Sequence, residues 1–433
     1  MEKIKFYIKT IGCKLNFTES SHIETFLIAN GLTRCENRNT ADVFILNTCS
    51  VTGQAEKTCM QEIRSFYREN VLSRIIVTGC FANLNSSKIT EAHQVCIISG
   101  TDIRQKREAI LKFILKEMST KNIMPIFAQD RGFEPVWSNS RTRCFMKIQD
   151  GCDNRCAYCT VHRARGSSRS ASIAAVCRAV ETATAEGARE IVLTGLNTAD
   201  FGRKNGEQFI DLLQAIDRLP STPRMRISSI EPNLLTNDII GFIKESKHFM
   251  PHFHIPLQSG SDKILKLMGR RYSTDEFRQK LTFIKQIMPD AFIGTDMIAG
   301  MNGESAEDFA DSFAFAESLP LSFIHVFPYS QRPNTKAVGF KPVVYGATQN
   351  SRVKALLELA DKRLVEFYKL YIGDTLEVLV EGRRGDNHTG YTNNYIKTKI
   401  RFDHNLSNQI ILVKLIKLDK ETMQMKGNVV KVF

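Results

Sequence analysis

Three cysteines in the middle of the chain are spaced so that their sulfur atoms can share one metal cluster. Cys152, Cys156 and Cys159 form a CxxxCxxC motif directly after the short apolar segment CFMKIQ. Thiolates are the usual ligands of iron–sulfur clusters, and three of them can hold a [4Fe–4S] cube whose fourth iron stays open. A structural zinc site needs a fourth protein ligand, for which His162 is the nearest candidate. The motif therefore favours an open cluster, with zinc as the alternative.

Three further cysteines, far apart in the sequence, follow similar segments. Cys13 follows FYIKTIG, Cys49 follows FILNT and Cys80 follows IIVTG. In an open parallel sheet the carboxyl ends of the strands meet at one crevice, where ligands bind. The pattern favours a second three-cysteine cluster over the alternative of three buried cysteines that only fill space. The cysteines interpreted as structural are Cys35, Cys59, Cys96, Cys144 and Cys177.

The surrounding sequence predicts an α/β protein in which three units position these cysteines. Over residues 1–122, short apolar strands alternate with helical patterns such as Glu19–Ala29 and Ala55–Arg68. This alternation is typical of an open parallel sheet with flanking helices. Residues 123–143 have no clear period and indicate a linker. Residues 372–433 form short alternating runs separated by turns, which predict a small antiparallel β-barrel.

Residues 144–371 alternate strand and helix patterns again and predict a partial TIM-like (β/α)6 barrel with a following helix. In such a barrel the active-site loops lie at the carboxyl ends of the strands. The predicted strands are CFMKIQ, EIVLT, RMRISS, HFHIPL, FIGTDMIAG and SFIHVFPYS. The predicted helices are Ser172–Glu186, Leu234–Lys244, Thr274–Met288, Ser305–Ser318 and Gln349–Tyr371.

The composition fits a globular, basic protein. The 433 residues are 42% hydrophobic and 24% charged, which excludes a wholly disordered or fibrous chain. The formal net charge of +13 indicates a polyanionic partner. No apolar run is long enough for a membrane span, and the amino terminus has no signal-peptide pattern. We therefore expect a cytoplasmic protein without a membrane partner, in a reducing compartment where cysteines serve metal or catalysis.

Basic charge is concentrated around the central cysteine motif. From Trp137 to Ser170 there are seven basic and two acidic residues, a net charge of +5, and residues 374–433 carry a net +3. Basic side chains can bind RNA phosphates, and tyrosines can stack on bases; a solvated loop and ordinary strand packing are the alternatives. The candidates for RNA contact are Arg163, Arg165 and Arg169 near the motif and Tyr391, Asn394 and Tyr395 in the terminal segment.

The central motif, with the aromatic Tyr158 before its last cysteine, resembles the signature of the radical S-adenosylmethionine (SAM) superfamily. The resemblance implies that the open iron binds SAM, whose reductive cleavage gives a 5′-deoxyadenosyl radical. The order of motifs along nearly the whole chain is similar to the methylthiotransferase family, with a terminal barrel that resembles the TRAM RNA-binding domain. The motifs include IGCKLN, NTCSVT, VTGC, KIQDGCDNRCAYC, RARGSSRS, IVLTGLN, RISSIEP, HIPLQSGS, GTDMIAG, HVFPYSQRPNT and GYTNNY.

Within that family, GCKLN, KIQDGC and HVFPYS most resemble the branch that modifies threonylcarbamoyladenosine in tRNA, the MtaB type. The resemblance implies two [4Fe–4S] clusters, SAM, and insertion of a methylthio group at carbon 2 of N6-threonylcarbamoyladenosine at position 37, in the anticodon loop. The sulfur donor and the electron donor are unknown. The alternatives are a methylthiotransferase acting on isopentenyladenosine tRNA or on a ribosomal protein aspartate, and a non-catalytic metal-containing RNA-binding protein.

The resemblance also suggests roles for individual residues. Cys13, Cys49 and Cys80 would hold the cluster that delivers sulfur, and Cys152, Cys156 and Cys159 the cluster that generates the radical. The further candidates are Tyr158, Thr194, Gly195, Asn197, Ser229 and Glu231 for SAM and Gln258 and Asp296 for catalysis. His162 replaces the family's usual proline, and Met301-Asn302 replaces the usual Phe-Pro, so we expect local differences in loop shape.

Overall fold

Five parallel strands form the sheet of the amino-terminal part, as the sequence predicts. The structure is a computed structural model that describes residues 3–69, 74–92, 95–116, 133–138 and 142–433. The strand order is β2-β1-β3-β4-β5, and the central β3 is buried along its whole length. The elements are β1 Lys5–Thr10, α1 Lys14–Ala29, β2 Thr33–Arg34, β3 Val43–Thr48, α2 Gly53–Glu69, β4 Arg74–Gly79, α3 Cys80–Leu84, α4 Ser86–Ala92, β5 Cys96–Ile97 and α5 Ile103–Lys116.

Helix α1 begins five residues before the Glu19 start that the sequence predicts. Its first turns carry polar residues that are weak helix formers when exposed, so the apolar period starts late. In the fold these side chains are buried and bonded instead. Asn16, for example, donates through Nδ2 to the Thr48 carbonyl at 2.9 Å. Tertiary hydrogen bonds therefore fix the start of the helix where local sequence preference does not.

The six predicted barrel strands are all present and form a curved, open sheet. Two hydrogen-bonded sheets, β6-β7-β10-β11 and β12-β13-β14, are joined by bridges between Met225 and Phe249 and between Ser229 and His254. The strands are β6 Val136–Ser138, β7 Arg143–Lys147, β8 Gln149–Asp150, β9 Arg169–Ser170, β10 Glu190–Thr194, β11 Arg224–Ile227, β12 His252–His254, β13 Phe292–Ala299 and β14 Phe323–Pro328. The helices are α6 Val161–Arg165, α7 Ile173–Ala185, α8 Phe209–Asp217, α9 Asn237–Glu245, α10 Asp262–Met268, α11 Thr274–Ile287, α12 Ala306–Ser318 and α13 Gly346–Lys369.

Part of the predicted linker is structured. Strand β6 pairs antiparallel with β7, and Val136 lies in the hydrophobic core of the amino-terminal part. Residues 117–132 and 139–141 are outside the described residues. The short strand escapes prediction because three residues give no period. The division into residues 1–122, 123–143, 144–371 and 372–433 stays a prediction.

The barrel strands place apolar side chains outside, and their inner positions carry polar side chains together with some apolar ones such as Phe145. On β7 and β10, Met146, Ile191 and Leu193 belong to the core under the helices. Because side chains alternate along a strand, the positions between them face the interior of the curved sheet, here called the lumen. Lumen positions are occupied by polar residues such as His254 and Asp296 on neighbouring strands.

The chain ends in a closed five-stranded barrel, as predicted, with one parallel pair. The strand order is β15-β16-β17-β19-β18, and only β17 and β19 run parallel. The strands are β15 Thr375–Arg384, β16 Asn387–Thr392, β17 Lys397–Arg401, β18 Ile410–Asp419 and β19 Gln424–Val432. Among the described residues, the helices are too short or too polar to cross a membrane.

Candidate active site

The CxxxCxxC motif lies in the loop that follows β8. Cys156 is buried, and Cys152 and Cys159 are half-buried. Burial raises the pKa of Cys152 to about 11 and that of Cys159 to about 12, and the neighbouring thiols add to both shifts. The three thiols thus influence one another's pKa. Metals bind cysteine as the thiolate. Because the raised pKa values favour the neutral thiols, a group that binds these cysteines must carry positive charge that stabilises the thiolates.

Gln149 fixes the shape of this loop. Its side-chain amide donates to the carbonyl of Gly151 at 2.8 Å and to the hydroxyl of Ser168 at 3.0 Å. Its Oε1 accepts from the backbone N–H groups of Leu196 and Asn197 at 2.9 and 3.0 Å. One buried side chain therefore connects the cysteine loop to the loop after β10.

The loop after β10 contains Thr194, Gly195 and Asn197, three of the residues predicted to bind SAM. Thr194 is buried, and its hydroxyl donates to a backbone carbonyl in β10. A Cβ on Gly195 would lie 2.7 Å from Gln149 Oε1, so close approach requires glycine here. Asn197 is buried, and its Oδ1 has no hydrogen-bond partner. Asn197 is therefore the member of this group with a polar atom available to a ligand.

Arg270 places a positive charge against the cysteine loop. Its Nη1 lies 3.5 Å from Cys156 Sγ, and it forms an ion pair with Glu231. Its Nε donates to the hydroxyl of Tyr272 at 3.1 Å. Tyr158 lies close enough that Arg270 opposes the rise in its pKa caused by burial. Glu231, one of the residues predicted to bind SAM, is thus already paired in this structure.

The structure also brings Cys13, Cys49 and Cys80 together. Cys13 caps α1, Cys49 follows β3 and Cys80 begins α3. Gly12 has φ of +128°, and a Cβ there would lie 2.9 Å from Cys49 Cβ. Burial raises the pKa of Cys49 to about 11, with further contributions from Cys13 and Cys80. Sequence topology alone predicts this convergence, because all three residues follow parallel strands.

Each cysteine set has a buried arginine beside it. Arg165 donates through Nε to Cys80 Sγ at 3.1 Å, as Arg270 approaches Cys156. Three thiolates with an adjacent guanidinium fit an anionic iron–sulfur cluster. Among the described residues, only His254, Asp296 and His325 bring their ligand atoms within 4.8 Å of one another, so the sulfur atoms of each cysteine set are spread more widely than that and His162 joins neither set at this range. The donor sets therefore fit two three-thiolate clusters.

A buried ion network, here called the docking network, fixes the amino-terminal part against the barrel. Lys147 contacts Glu19 at 2.7 Å and Asp150 at 2.8 Å, and Arg165 contacts the same two acids at 2.7 and 3.2 Å. Burial alone would raise the pKa of Glu19, but Arg165, Lys147 and Lys106 hold it well below its usual range. The two cysteine sets are neighbours because α6, which follows Cys159, carries Arg165 to Cys80.

Ser229, His254 and Asp296 form a hydrogen-bonded row across the lumen. Ser229 Oγ lies 2.6 Å from His254 Nδ1, and His254 Nε2 lies 2.9 Å from Asp296 Oδ1. The His325 ring is 5.4 Å from the His254 ring. The predicted residue Gln258 has φ of +68°, and its backbone N–H donates to the Asp296 carbonyl at 2.7 Å. Predicted Ser229, Gln258 and Asp296 are therefore assembled around His254.

The predicted RNA contacts near the motif separate into exposed and buried residues. Arg163 is exposed and makes a weak 3.4 Å bond to the Pro333 carbonyl. Arg165 is 3% exposed inside the docking network, and Arg169 pairs with Asp150 at 3.0 Å. The expectation that Arg165 binds RNA is therefore corrected, because its charge is used inside the protein. Arg169 has the same acid partner but stays half-buried.

The predicted RNA contacts of the terminal barrel lie at its junction with the radical SAM-like barrel. Tyr395 accepts from Arg143 Nη1 at 2.9 Å and packs on His252 with ring centroids 4.2 Å apart. Tyr391 stacks on Tyr395 at 4.7 Å, and Asn394 is only 2% exposed. These side chains close the amino-terminal mouth of the lumen. Asn394 is thus buried, whereas Tyr391 and Tyr395 are half-buried at this junction and their contact with RNA stays a prediction.

Sequence reasoning did not select several residues that shape the site. Gln149 and His254 lie within the motifs KIQDGC and HIPLQSGS. Their membership of these motifs is the sequence signal that could have identified them. Arg270 and Glu19 carried no such signal. Their partners lie 39 and 128 residues away along the chain, and only the fold brings them into contact.

Two family comparisons cover both cysteine sets. Residues 5–100 match the uncharacterized protein family UPF0004, and residues 146–316 match the radical SAM superfamily. The solved structure of the radical SAM methyltransferase TsrM from Kitasatospora setae has a TM-score of 0.58 at 13% identity and covers 78% of this chain and 77% of that chain. At this identity the likeness shows the fold alone.

Curated relatives match nearly the whole chain. The threonylcarbamoyladenosine tRNA methylthiotransferase MtaB of Bacillus subtilis is 33% identical over 94% of this chain and 93% of its own length. The Aquifex aeolicus protein of the same name is 32% identical over 92% and 96%. The tRNA-2-methylthio-N(6)-dimethylallyladenosine synthase of Neorickettsia sennetsu is 31% identical over 95% and 90%. The chain therefore belongs to the MtaB-type family of radical SAM methylthiotransferases.

Proposed function

We propose that this methylthiotransferase acts on tRNA and inserts a methylthio group at carbon 2 of N6-threonylcarbamoyladenosine at position 37. Two relatives named as threonylcarbamoyladenosine tRNA methylthiotransferases match more than nine-tenths of the chain at 32–33% identity. As a member of the family, the chain uses two [4Fe–4S] clusters and SAM. Its proposed compartment is the cytoplasm.

The observation that carries the proposal is the adjacency of the two cysteine sets. α6 connects them: it follows Cys159 directly and delivers Arg165 to Cys80. A base seated between the sets would meet both. When bound, the clusters and SAM supply the sulfur, the methyl group and the radical that activates an adenine C–H bond. Such a bond resists ordinary acid–base catalysis.

The protein's own side chains have separable proposed roles. The six cysteines bind the clusters, and Arg270 and Arg165 compensate the negative charge of the thiolates. Asn197 offers its unpartnered Oδ1 to SAM, beside the loop that Gln149 orders. The row of Ser229, His254 and Asp296 lines the wall against which the adenosine would lie. The docking network keeps bulk water from the space between the sets, because its five charged residues are almost fully buried.

We expect the anticodon loop to approach the part of the lumen rim where Arg163 is exposed. Position 37 is a loop base, which can be unstacked at less cost than a base in a duplex. Arg163 is exposed and basic, as a phosphate contact requires. Arg165, two residues along, is not part of this surface.

Nucleoside analysis of tRNA tests the proposal. A strain lacking this gene, without a redundant enzyme, should lose 2-methylthio-N6-threonylcarbamoyladenosine and accumulate the unmethylthiolated nucleoside, measured by liquid chromatography and mass spectrometry. The wild-type gene should restore the product, and a Cys152→Ala variant should not. Persistence of the product in the deletion strain would refute the assignment.

A second substrate is favoured by one observation. The relative from Neorickettsia sennetsu, named for dimethylallyladenosine, is 31% identical to this chain, which lies within the 30–34% range of the MtaB relatives. If that substrate is correct, the deletion strain loses the methylthio derivative of isopentenyladenosine instead. A ribosomal protein aspartate is the third candidate, and its modification is measured by peptide mass spectrometry in the same strain.

A further inference from the structure

Lys14 lies between the sulfur-cluster site and the lumen. It is the first residue of α1 and follows Cys13 directly. Its Nζ is 5.6 Å from the centroid of the Phe145 ring, which stands at an inner position of β7. Helix α1 itself is held against this strand, where Thr18 Oγ1 donates to the Phe145 carbonyl at 3.5 Å. The side chain of Lys14 is exposed although the helix that carries it is docked.

The opposite wall of the lumen consists of polar rings and one carboxylate. His254, Asp296 and His325 stand on three neighbouring strands, and their ligand atoms lie within 4.8 Å of one another. Burial lowers the pKa of His325, and the charges of His254 and Lys14 lower it further, whereas Asp296 opposes the shift. The charge of Lys14 also contributes to lowering the pKa of Tyr395, which lies at the amino-terminal mouth of the lumen. The contact of Lys14 Nζ with the ring of Phe145 places its ammonium beside the interior of the curved sheet, and these pKa contributions agree with that position.

Among the described residues, the Lys14 ammonium has no carboxylate partner. Two acids of the site have other partners, since Glu19 is paired with Lys147 and Arg165, and Asp296 is bonded to His254. Because the exposed Lys14 ammonium has no such partner, its charge is available to an incoming anion. Lys14 therefore offers a binding position for a negatively charged group next to the sulfur site.

We propose that Lys14 binds the carboxylate of the threonylcarbamoyl group on the substrate adenosine and so distinguishes this substrate from adenosines with an uncharged N6 substituent. The inference rests on the proposed function. It names the feature of the base that the site recognises. The polar wall of His254 and His325 lies across the lumen and suits the carbamoyl and hydroxyl groups of the same substituent. An isopentenyl group would leave Lys14 and this wall without polar partners.

Two matched RNAs test the inference in the cluster-loaded enzyme. One is an anticodon stem-loop with N6-threonylcarbamoyladenosine at position 37, and the other has the same group with its carboxylate replaced by a carboxamide. We expect wild-type kcat/KM to be about 10- to 100-fold lower on the carboxamide, the range for a hydrogen bond to a charged group. Lys14→Gln should lose a similar factor on the acid and no longer distinguish the two RNAs.

Two further variants separate charge from structure. Lys14→Arg keeps the charge and should retain most of the discrimination. Lys354→Gln removes a lysine that is 80% exposed on the outer helix α13 and should match the wild type. Iron content and 5′-deoxyadenosine formed without RNA show whether Lys14→Gln still assembles both clusters.

The outcomes distinguish the inference from the function on which it rests. If the wild type modifies neither RNA but modifies one carrying isopentenyladenosine, the proposed function fails. If the wild type modifies both RNAs with equal kcat/KM, the inference is overturned whatever the variants do. Discrimination that survives in a correctly assembled Lys14→Gln enzyme overturns it as well.

Discussion

The two cysteine sets build similar sites by different routes. Cys152, Cys156 and Cys159 share one loop, whose shape depends on a single buried side chain, Gln149. Cys13, Cys49 and Cys80 come from three strand ends and obtain their neighbouring cation, Arg165, from the other domain. The first site is therefore local, whereas the second depends on the sheet and on domain docking. Substitutions at the interface between the amino-terminal part and the barrel should therefore weaken the site of Cys13, Cys49 and Cys80 more than the site in the CxxxCxxC loop.

Replacing one cysteine of each set gives the largest expected effects. Cys152→Ala should abolish both 5′-deoxyadenosine formation and the methylthio product, because the loop loses a ligand of the radical-generating cluster. Cys80→Ala should abolish the methylthio product but leave 5′-deoxyadenosine formation, since the loop with Cys152, Cys156 and Cys159 is intact. Both compounds are measured by mass spectrometry after anaerobic reduction. Cys177→Ala, on α7 outside both sets, is the control and should retain both activities.

If Cys80→Ala also stopped SAM cleavage, the two sets would form one functional unit. The contrast between a local and a docking-dependent site would then be wrong.

Arg165→Met should cause the largest loss of stability. Arg165 is 3% exposed and contacts Glu19, Asp150 and Cys80. Breaking a buried ion pair by removing one partner typically costs about 3–5 kcal/mol. Urea unfolding can be followed by the fluorescence of Trp137, the single tryptophan, because its strand β6 packs against the amino-terminal core.

The matched control is Arg163→Met, two residues away. Arg163 is exposed, so its free energy of unfolding should change by about 0.5 kcal/mol or less. Arg165→Met should also lower the iron content of the Cys13, Cys49 and Cys80 set more than that of the other set. An equal loss at both sets would show that docking supports both sites alike.

Acid should also destabilise the docking network, and the free energy lost should be smaller than that lost in Arg165→Met. Arg165, Lys147 and Lys106 hold the pKa of Glu19 well below the ordinary value of 4.5, against the effect of burial. A depressed folded pKa means that Glu19 stabilises the fold above pH 4.5, and that this contribution is lost as the pH falls below it. The slope of unfolding free energy against pH below 4.5 should therefore be smaller in Glu19→Gln than in the wild type.

Glu24→Gln is the control on the same helix. Glu24 pairs with the exposed Arg34, and exposed pairs contribute about 0–1 kcal/mol. Its unfolding free energy should therefore follow the wild-type pH dependence. A wild-type slope in Glu19→Gln would show that another group governs the acid response.

The same difference between local and distant contacts explains which features the sequence predicts. The CxxxCxxC spacing and the places of Cys13, Cys49 and Cys80 after apolar strands follow from local patterns, as do the six barrel strands. Helix α1 begins earlier than predicted because Asn16 is stabilised by contacts with β3. Such contacts leave no periodic signal.

The basic residues show that composition does not predict which cations are exposed and which are buried. Arg163 and Arg165 belong to the same arginine-rich segment, and nothing in its sequence separates an exposed cation from a buried one. The separation comes from Glu19, which lies 146 residues before Arg165 and reaches it only after domain docking. Likewise Tyr395 resembles an RNA-stacking residue in sequence, yet it packs on His252.

The smallest expected effect concerns RNA affinity and again contrasts Arg163 with its buried neighbour. If Arg163 contacts a phosphate, Arg163→Met should weaken stem-loop binding equally for modified and unmodified position 37, because phosphates carry no base information. The slope of log affinity against log salt should fall by about one. Fluorescence anisotropy over a salt series measures both quantities. An unchanged salt slope would place Arg163 outside the RNA surface, and the exposed cations that bind tRNA would then lie elsewhere on the rim.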